Sequence, residues 1–381
     1  MLEASSWLRC WADHNGLPPQ HVMVAETLVG ADQLSTNLAL RVPSRLARAA
    51  ITETGLPRIS PEVLRRYNVP LWRTEVLTGH LEPGETLSLT HGVEACLPYP
   101  IRAIALSPQP VVRGTTAVLM IETDGLAFCR VEALGVTNLC YRESGTRNYA
   151  FVGVPALTEP GTYALRVVLV YGGTELAFSL PLEVAAGRYG YQVIMPPPQL
   201  QGLMDPALMR SEEAYLEAWR TLRSSSRQWR FPLQPPLSSS MSISAGYGDR
   251  RSYGGVVNGY HSGVDYRAWT GVPVVAPADG VVVMTESLAV RGNAVLIDHG
   301  WGLVTGYWHL SKIHVQPGDL VERGQMFAEV GNTGLSTGAH LHWEVWANGV
   351  SVDGRQWLTP DGLGGISFSP IVEPMEANEV Q

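Results

Sequence analysis

Apolar runs recur about every ten residues between positions 100 and 187. Examples are "TAVLMIET", "GTYALRVVLVY" and "ELAFSLPLEVA", which are rich in branched and aromatic residues. Turn sequences such as "EPGTY" and "YGGTE" separate them. Runs of this length and spacing predict β-strands joined by short turns. We therefore expect an antiparallel β-sandwich of immunoglobulin-like type over residues 98–190.

The first 97 residues show a weaker pattern. "EASSWLRCWADHNGL" and "ISPEVLRRYNV" predict short helices, the second with Ser60 as N-cap and Pro61 in its first turn. Each is followed by a short apolar strand, "LALRVP" and "ETLSLT". This order weakly resembles the second half of a LysM peptidoglycan-binding module. We expect residues 1–97 to form a small structural α/β segment, with a degenerate LysM-like module as the alternative.

Residues 191–240 are expected to link the sandwich to the last domain. The proline-rich sequence "MPPPQ" at 195–199 marks this linker. The following "DPALMRSEEAYLEAWRTLRSSSRQW" predicts a helix with Asp205 as its cap and Pro206 in its first turn. Four apolar residues near helical spacing predict its packed face: Leu208, Tyr215, Trp219 and Leu222.

Composition limits the classes of function. The 381 residues suggest two or three folded domains, and 45% of them are hydrophobic. The net charge is -8 and there is no run of Lys or Arg, which argues against nucleic acid as a partner. No stretch of about 20 apolar residues exists, so we expect no transmembrane segment.

The four cysteines do not form a CxxC pair, which argues against a cysteine zinc site. Cys129 and Cys140 are placed to face each other across a hairpin and form a disulfide. Buried free thiols are an equally good interpretation of the same spacing.

Residues 241–360 predict a small, mostly antiparallel β-domain, followed by a tail over 361–381. This segment contains six of the ten histidines. In "AHLHWEV", His340 and His342 project from the same face of a predicted strand. In "HSGVD", His261 and Asp265 also share a face. Two adjacent imidazoles are costly unless something neutralises or uses them, and a metal ion does both.

Several motifs of this segment occur together, including "HSGVD", "YWHLS", "VERGQ" and "VGNTGLSTGAHLHWEV". In this order and spacing, residues 246–358 resemble the lysostaphin/LytM-type zinc metallopeptidase family, which cuts peptide bonds in bacterial peptidoglycan. The resemblance implies a bound Zn²⁺ ion and an endopeptidase activity on peptidoglycan stem peptides or cross-bridges.

The resemblance also implies roles for five residues. His261, Asp265 and His342 match the family's zinc ligands, and a site with three protein ligands leaves a fourth position for the water that acts as nucleophile. His309 and His340 match the two catalytic histidines that are not ligands. The chain has no HExxH glutamate, so a histidine beside the metal is needed as the base. The sequence does not divide the acid and base roles between these two histidines.

Other residues near these motifs have two possible interpretations each. Asp298 and Glu344 are candidates for orienting ligand imidazoles, although a strand-surface carboxylate is the favoured interpretation. Arg250 or Arg251 either binds substrate or forms a structural salt bridge. We also expect Asn258, Tyr307 and the "GNTGLSTG" loop to line the groove.

Two further expectations concern the whole chain. The alternative to an enzyme is a non-enzymatic cell-envelope protein that binds peptidoglycan or activates other wall hydrolases. The presence of all five motif residues favours the enzyme. The family works outside the cytoplasm, in the cell envelope, the periplasm or the medium. No signal peptide is visible in this chain, so we expect a start further upstream.

Overall fold

The computed structural model describes residues 38–41, 86–89, 100–237, 242–253, 256–366 and 368. Within these ranges the chain has 25 β-strands and one α-helix, so the predicted mainly β class is confirmed. The strands β1 (Leu38–Arg41) and β2 (Thr86–Leu89) lie where two strands were predicted and pair with each other in antiparallel fashion. The two helices predicted near the N-terminus, and the rest of any LysM-like module, lie outside the described residues.

Residues 101–185 form two sheets that pack face to face. One sheet has the order β3-β5-β9-β8 and the other β4-β11-β10-β6-β7. Their strands are β3 (Ile101–Ser107), β4 (Val111–Val112), β5 (Thr116–Thr123), β6 (Ala127–Ala133), β7 (Val136–Leu139), β8 (Tyr141–Ser144), β9 (Arg147–Gly153), β10 (Gly161–Tyr171) and β11 (Thr174–Ala185). Leu119 and Val152 from one sheet meet Val167 and Leu182 from the other in a buried core. The two-sheet arrangement agrees with the expected sandwich, and its immunoglobulin-like type stays a prediction.

A disulfide joins Cys129 on β6 to Cys140, which follows β7. The two Cα atoms are 5.2 Å apart, and the Cys140 amide donates to the Cys129 carbonyl. Of the two interpretations that the spacing allowed, the structure has the disulfide.

The linker helix α1 (Pro206–Arg220) is capped as predicted, with the Asp205 carboxylate accepting from the Ala207 amide at 2.8 Å. Its packed face differs from the prediction, because Tyr215 is 43% exposed while Glu212 and Leu216 are buried. Glu212 takes this place because its carboxylate accepts the Val290 amide at 2.7 Å. A buried carboxylate is tolerated when hydrogen bonds satisfy it.

The last domain begins with a strand from the linker, β12 (Tyr191–Ile194), which pairs in parallel with β14. The remaining strands are β13 (Ile243–Ala245), β14 (Arg250–Tyr253), β15 (Val256–Tyr260), β16 (Val264–Arg267), β17 (Pro273–Val275), β18 (Gly280–Leu288), β19 (Gly292–Asp298), β20 (Leu303–Leu310), β21 (Lys312–Ile313), β22 (Leu320–Val321), β23 (Met326–Glu329), β24 (His340–Ala347) and β25 (Val350–Val352). The largest sheet has the order β13-β16-β24-β20-β19-β18-β22, with β25 on β24. Short 3-10 helices cover Pro198–Met204 and Gly354–Leu358.

The sandwich and the last domain share one hydrophobic core. Phe151 on β9 lies against Trp229 and Trp357, with ring centroids 5.7 Å and 5.5 Å apart. Asn348, in the turn between β24 and β25, donates to the Phe151 carbonyl at 2.7 Å and accepts from the Tyr141 hydroxyl at 3.0 Å. The domain that carries the site is therefore braced by the sandwich.

In the part of the chain that the structure describes, no helix has the length and apolar character needed to cross a membrane.

Candidate metal centre and catalytic groove

Three buried side chains from separate parts of the last domain meet at one point. His261 Nε2 lies 3.0 Å from Asp265 Oδ1 and 2.9 Å from His342 Nδ1. His342 Nδ1 lies 2.7 Å from the same Asp265 oxygen. Among the described residues, these three form the one group of His, Cys, Asp and Glu side chains arranged so that they could hold a metal ion.

Strand pairing brings these residues together. Asp265 on β16 is directly opposite His342 on β24, so both side chains leave the same face of the sheet. His261 lies just before β16, in the turn that follows β15. Its backbone is held by the loop before β14, where the His261 amide donates to the Asp249 carbonyl at 2.8 Å.

Hydrogen bonds on the far side of each imidazole determine which nitrogen faces the centre. His261 Nδ1 is 2.8 Å from the Gly246 carbonyl, which can only accept, so Nδ1 carries the proton. His342 Nε2 is 2.9 Å from the Glu344 carboxylate, which orients this ring in the same way. Each ring therefore directs an unprotonated nitrogen toward Asp265. This is the arrangement that metal-binding histidines have in proteins.

Asp265 also has a fixed orientation. Its second oxygen, Oδ2, accepts from Arg251 Nη2 at 2.8 Å. Burial would raise the pKa of Asp265, but the charge that His342 and His261 carry when protonated, together with their hydrogen bonds, outweighs burial and holds this pKa well below its usual value. The carboxylate is therefore ionised, as a metal ligand must be.

The donor set fits a zinc ion. Two imidazole nitrogens and one carboxylate oxygen are typical ligands of catalytic zinc. Ligand atoms around a tetrahedral ion at zinc distances are about 3.3 Å apart. The separations of 2.7–3.0 Å come within about 0.6 Å of this spacing. Three acceptors facing each other this closely repel unless a proton or a cation lies between them.

His309 and His340 lie beside this centre, with ring centroids 4.8 Å apart. His309 Nδ1 donates to the Thr333 carbonyl at 2.7 Å, and His340 Nδ1 donates to the Gly338 carbonyl at 2.8 Å. Each ring therefore has Nε2 as its free acceptor, and that of His340 is 3.7 Å from Asp265 Oδ1. His309 has a φ of 61°, an uncommon backbone conformation that occurs preferentially at functional sites.

Both of these histidines are neutral at neutral pH. Burial lowers the pKa of His309 to about 3, and the charge of the neighbouring His340 acts in the same direction. Burial also lowers the pKa of His340, although the Asp265 carboxylate opposes the shift. At neutral pH each ring therefore has an unprotonated nitrogen, which a proton acceptor requires.

Four of the five residues line a groove of about 550 Å³: Asp265, His309, His340 and His342. The fifth, His261, is fully buried and does not line it. One wall is the "STGA" part of the predicted loop, residues 336–339. The opposite wall comes from the linker strand β12 and the residues after it, including Gln192 and Ile194. The sequence pattern indicated only a linker there, since nothing in it marks contact with a groove.

The structure separates the two candidate orienting carboxylates. Glu344 is buried and accepts from His342 and from the Ser262 hydroxyl, so the strand-surface interpretation of this residue is wrong. Burial would raise the pKa of Glu344, but the hydrogen bond from His342 outweighs it and lowers this pKa to about 2. Asp298 instead accepts from Ser224 and from the Gly300 amide, and contacts none of the five site residues.

Two other sequence predictions are decided by contacts. Arg251, not Arg250, reaches the site, and it does so through the ion pair with Asp265. Tyr307 does not line the groove: its ring is fully buried and its hydroxyl contacts Thr305 Oγ1 at 2.8 Å. The spacing of Glu344 two residues after His342 was the one signal that indicated its contact with the ring.

Comparison with known families gives one match, to Peptidase family M23 over residues 259–354. This range contains all five residues described above.

Curated relatives match a part of the chain of similar length. The peptidoglycan DD-endopeptidase ShyA of Vibrio cholerae is 42% identical over 126 residues, which cover 33% of this chain and 29% of ShyA. The DD-carboxypeptidase/endopeptidase Mpg of Neisseria meningitidis is 45% identical over 93 residues, or 24% of this chain and 21% of Mpg. The chain therefore spans less than a third of the length of these relatives.

One solved structure is similar over a longer part of the chain. It is a Pseudomonas aeruginosa protein assigned to peptidase M23, with 26% sequence identity and a TM-score of 0.50. The alignment covers 68% of this chain and 96% of that protein. The similarity therefore extends well beyond the residues that match the family.

Proposed function

Because residues 259–354 form a domain of peptidase family M23, we propose that this chain is a zinc-dependent endopeptidase that hydrolyses peptide bonds in bacterial peptidoglycan. The observation that carries the proposal is the convergence of His261 Nε2, Asp265 Oδ1 and His342 Nδ1. All three atoms are acceptors. A second hydrogen bond fixes the orientation of each side chain, to the Gly246 carbonyl for His261, to Glu344 for His342 and from Arg251 for Asp265.

These three residues would hold the zinc ion. When bound, zinc supplies Lewis-acid chemistry, which makes water more acidic and polarises a peptide carbonyl. Asp265 contributes the negative charge of the set, and Arg251 prevents its carboxylate from turning away. Glu344 and the Gly246 carbonyl keep the two rings in the orientation that binding needs.

His309 and His340 would carry the protons. Either Nε2 accepts a proton from water as the water oxygen attacks the scissile carbonyl carbon. The protonated ring then donates to the amide nitrogen as the C–N bond breaks, which leaves a free acid and a free amine. Their backbone hydrogen bonds at Nδ1 hold both rings in position for this exchange.

The substrate is proposed from the relatives. ShyA is named as a peptidoglycan DD-endopeptidase and Mpg as a DD-carboxypeptidase/endopeptidase. Peptidoglycan lies outside the cytoplasmic membrane, so we place this chain in the cell envelope or the medium. The groove between β12 and the 336–339 loop would hold the peptide.

Purified protein tests the proposal directly. Zinc content is measured by atomic absorption, and isolated peptidoglycan is digested with the fragments identified by mass spectrometry. We expect one zinc per chain and new free amino and carboxyl ends, both lost after chelation and restored by added zinc. Zinc binding without any cleavage would favour the non-enzymatic envelope protein, and absence of zinc binding would contradict the metal site.

A further inference from the structure

The groove contains a positive charge that the metal centre does not use. Apart from the histidines, three charged side chains line it among the described residues: Arg251, Asp265 and Arg267. Arg251 is committed to Asp265 through the 2.8 Å ion pair. Arg267 is exposed and has no ion-pair partner within the described residues. Its guanidinium is therefore available to a ligand.

Strand geometry places Arg267 next to the reacting groups. It lies two residues after Asp265 on β16, so both side chains leave the same face about 7 Å apart. It is also directly opposite His340 on β24. A peptide bound with its scissile bond at His340 would bring its adjacent residue within reach of the Arg267 guanidinium.

Trp269 lies two residues beyond Arg267, just after the end of β16. Tyr266 and Ala268 are buried at 7% and 5% exposure, whereas Arg267 is exposed and Trp269 is 84% exposed. This alternation shows that Arg267 and Trp269 point away from the core together. The exposed indole of Trp269 is not part of the groove lining and would extend the subsite beyond the groove.

We propose that Arg267 and Trp269 form a substrate subsite that selects a peptide carrying a free carboxylate near the scissile bond. The guanidinium binds the carboxylate, and the indole covers the chain next to it. This inference rests on the proposed peptidase function and adds the charge of the preferred substrate. A local cation matters because the chain has a net charge of -8, which otherwise repels acidic peptides.

Two synthetic stem-peptide dimers test the subsite. They are identical except that the carboxylates beside the scissile bond are free in one and amidated in the other. We expect the protein to cleave the free acid with a kcat/KM about 10- to 100-fold higher, the range of a charge-assisted hydrogen bond. Arg267→Ala should lose this preference, so that the ratio of kcat/KM for the free acid to kcat/KM for the amide falls to about 1.

Further variants separate charge from packing. Arg267→Lys should keep part of the preference, and Arg267→Glu should reverse it. Trp269→Ala should slow cleavage of both peptides equally, by about 2- to 10-fold, because an aromatic contact does not depend on charge. Arg323→Ala is the matched control, since Arg323 is exposed but does not line the groove.

A binding measurement gives a second readout. Metal-free protein is titrated calorimetrically with each dimer, and we expect the free acid to bind more tightly than the amide. High salt should remove the difference, since salt screens exposed charges. Equal rates and equal affinities for the two peptides would overturn the subsite and leave the peptidase function intact. Cleavage of neither dimer nor of whole peptidoglycan would overturn both.

Discussion

Asp265 and His342 face each other across β16 and β24, with Oδ1 2.7 Å from Nδ1. His340 lies two residues before His342 on the same strand, yet its nearest nitrogen is 3.7 Å from that oxygen. The difference comes from the hydrogen-bond partner that each imidazole has on the side facing away from Asp265. Glu344 orients His342 toward Asp265, whereas the Gly338 carbonyl holds His340 to one side. Two neighbouring histidines are therefore placed for different tasks.

Alanine at these two positions should separate metal binding from catalysis. His342→Ala should lose both zinc and activity. His340→Ala and His309→Ala should keep zinc and lose about 100- to 10,000-fold in cleavage rate, the usual effect of removing a positioned acid or base. Zinc stoichiometry measured beside cleavage rate checks this. A zinc-free His340→Ala with a zinc-loaded His342→Ala would exchange the two roles.

The Glu344 carboxylate should contribute to zinc affinity without touching the ion. Glu344→Ala removes the acceptor behind His342, and such partners typically change metal affinity by about 10- to 100-fold. Glu344→Gln keeps an acceptor oxygen and should retain most of the affinity. Competition with a chromogenic chelator measures the constants. Glu329→Ala is the control, because Glu329 pairs with the exposed His314; an equal loss in that variant would contradict a specific role for Glu344.

Asn348 should couple the sandwich to the domain that carries the candidate site. It has a φ of 51° and makes two buried side-chain hydrogen bonds, to Phe151 and Tyr141. Asn348→Ala leaves both partners unsatisfied and strains the backbone, so we expect a loss of about 2–4 kcal/mol in the free energy of unfolding. Asn348→Gly restores the backbone conformation only and should recover about 1 kcal/mol. Thermal unfolding of the parent protein and the two variants measures the order of stability, which we expect to be parent, then Asn348→Gly, then Asn348→Ala. Equal unfolding midpoints would contradict the role of Asn348.

His299 should make the fold sensitive to acid. It is fully buried between the Asp279 carbonyl and Thr305 Oγ1, and burial lowers its pKa. The unfolded chain binds a proton at this residue below about pH 6.5, whereas the folded chain does not. The contribution of neutral His299 to the free energy of unfolding is therefore fully present above that pH, and it falls by up to about 1.4 kcal/mol per pH unit below it.

The His299→Gln variant should show a smaller fall in unfolding midpoint between pH 7.5 and 5.5 than the parent protein. Metal-free samples are used so that release of zinc does not contribute. His314→Gln, at an exposed position, is the control and should behave like the parent. An unchanged pH dependence in His299→Gln would show that His299 is protonated without cost in the fold.

Much of the fold was readable from local patterns. The three apolar runs quoted above between residues 100 and 187 are strands, because alternation and turn residues act over a few neighbouring positions. The start of α1 was predicted correctly for the same reason, since a cap and a proline act within one turn. Its packed face was not, because the buried position of Glu212 depends on Val290, 78 residues away.

The sequence by itself placed His340 and His342 on one strand face, and the resemblance of its motifs to a known peptidase family indicated which residues belong to the candidate metal centre. Only the tertiary structure decided what surrounds them. Arg251 behind Asp265, β12 as a wall of the groove and the free charge of Arg267 all depend on which distant segments pack together. A single sequence records the periodicity of each strand, but hydrogen bonds and burial between remote strands are settled only when the chain folds.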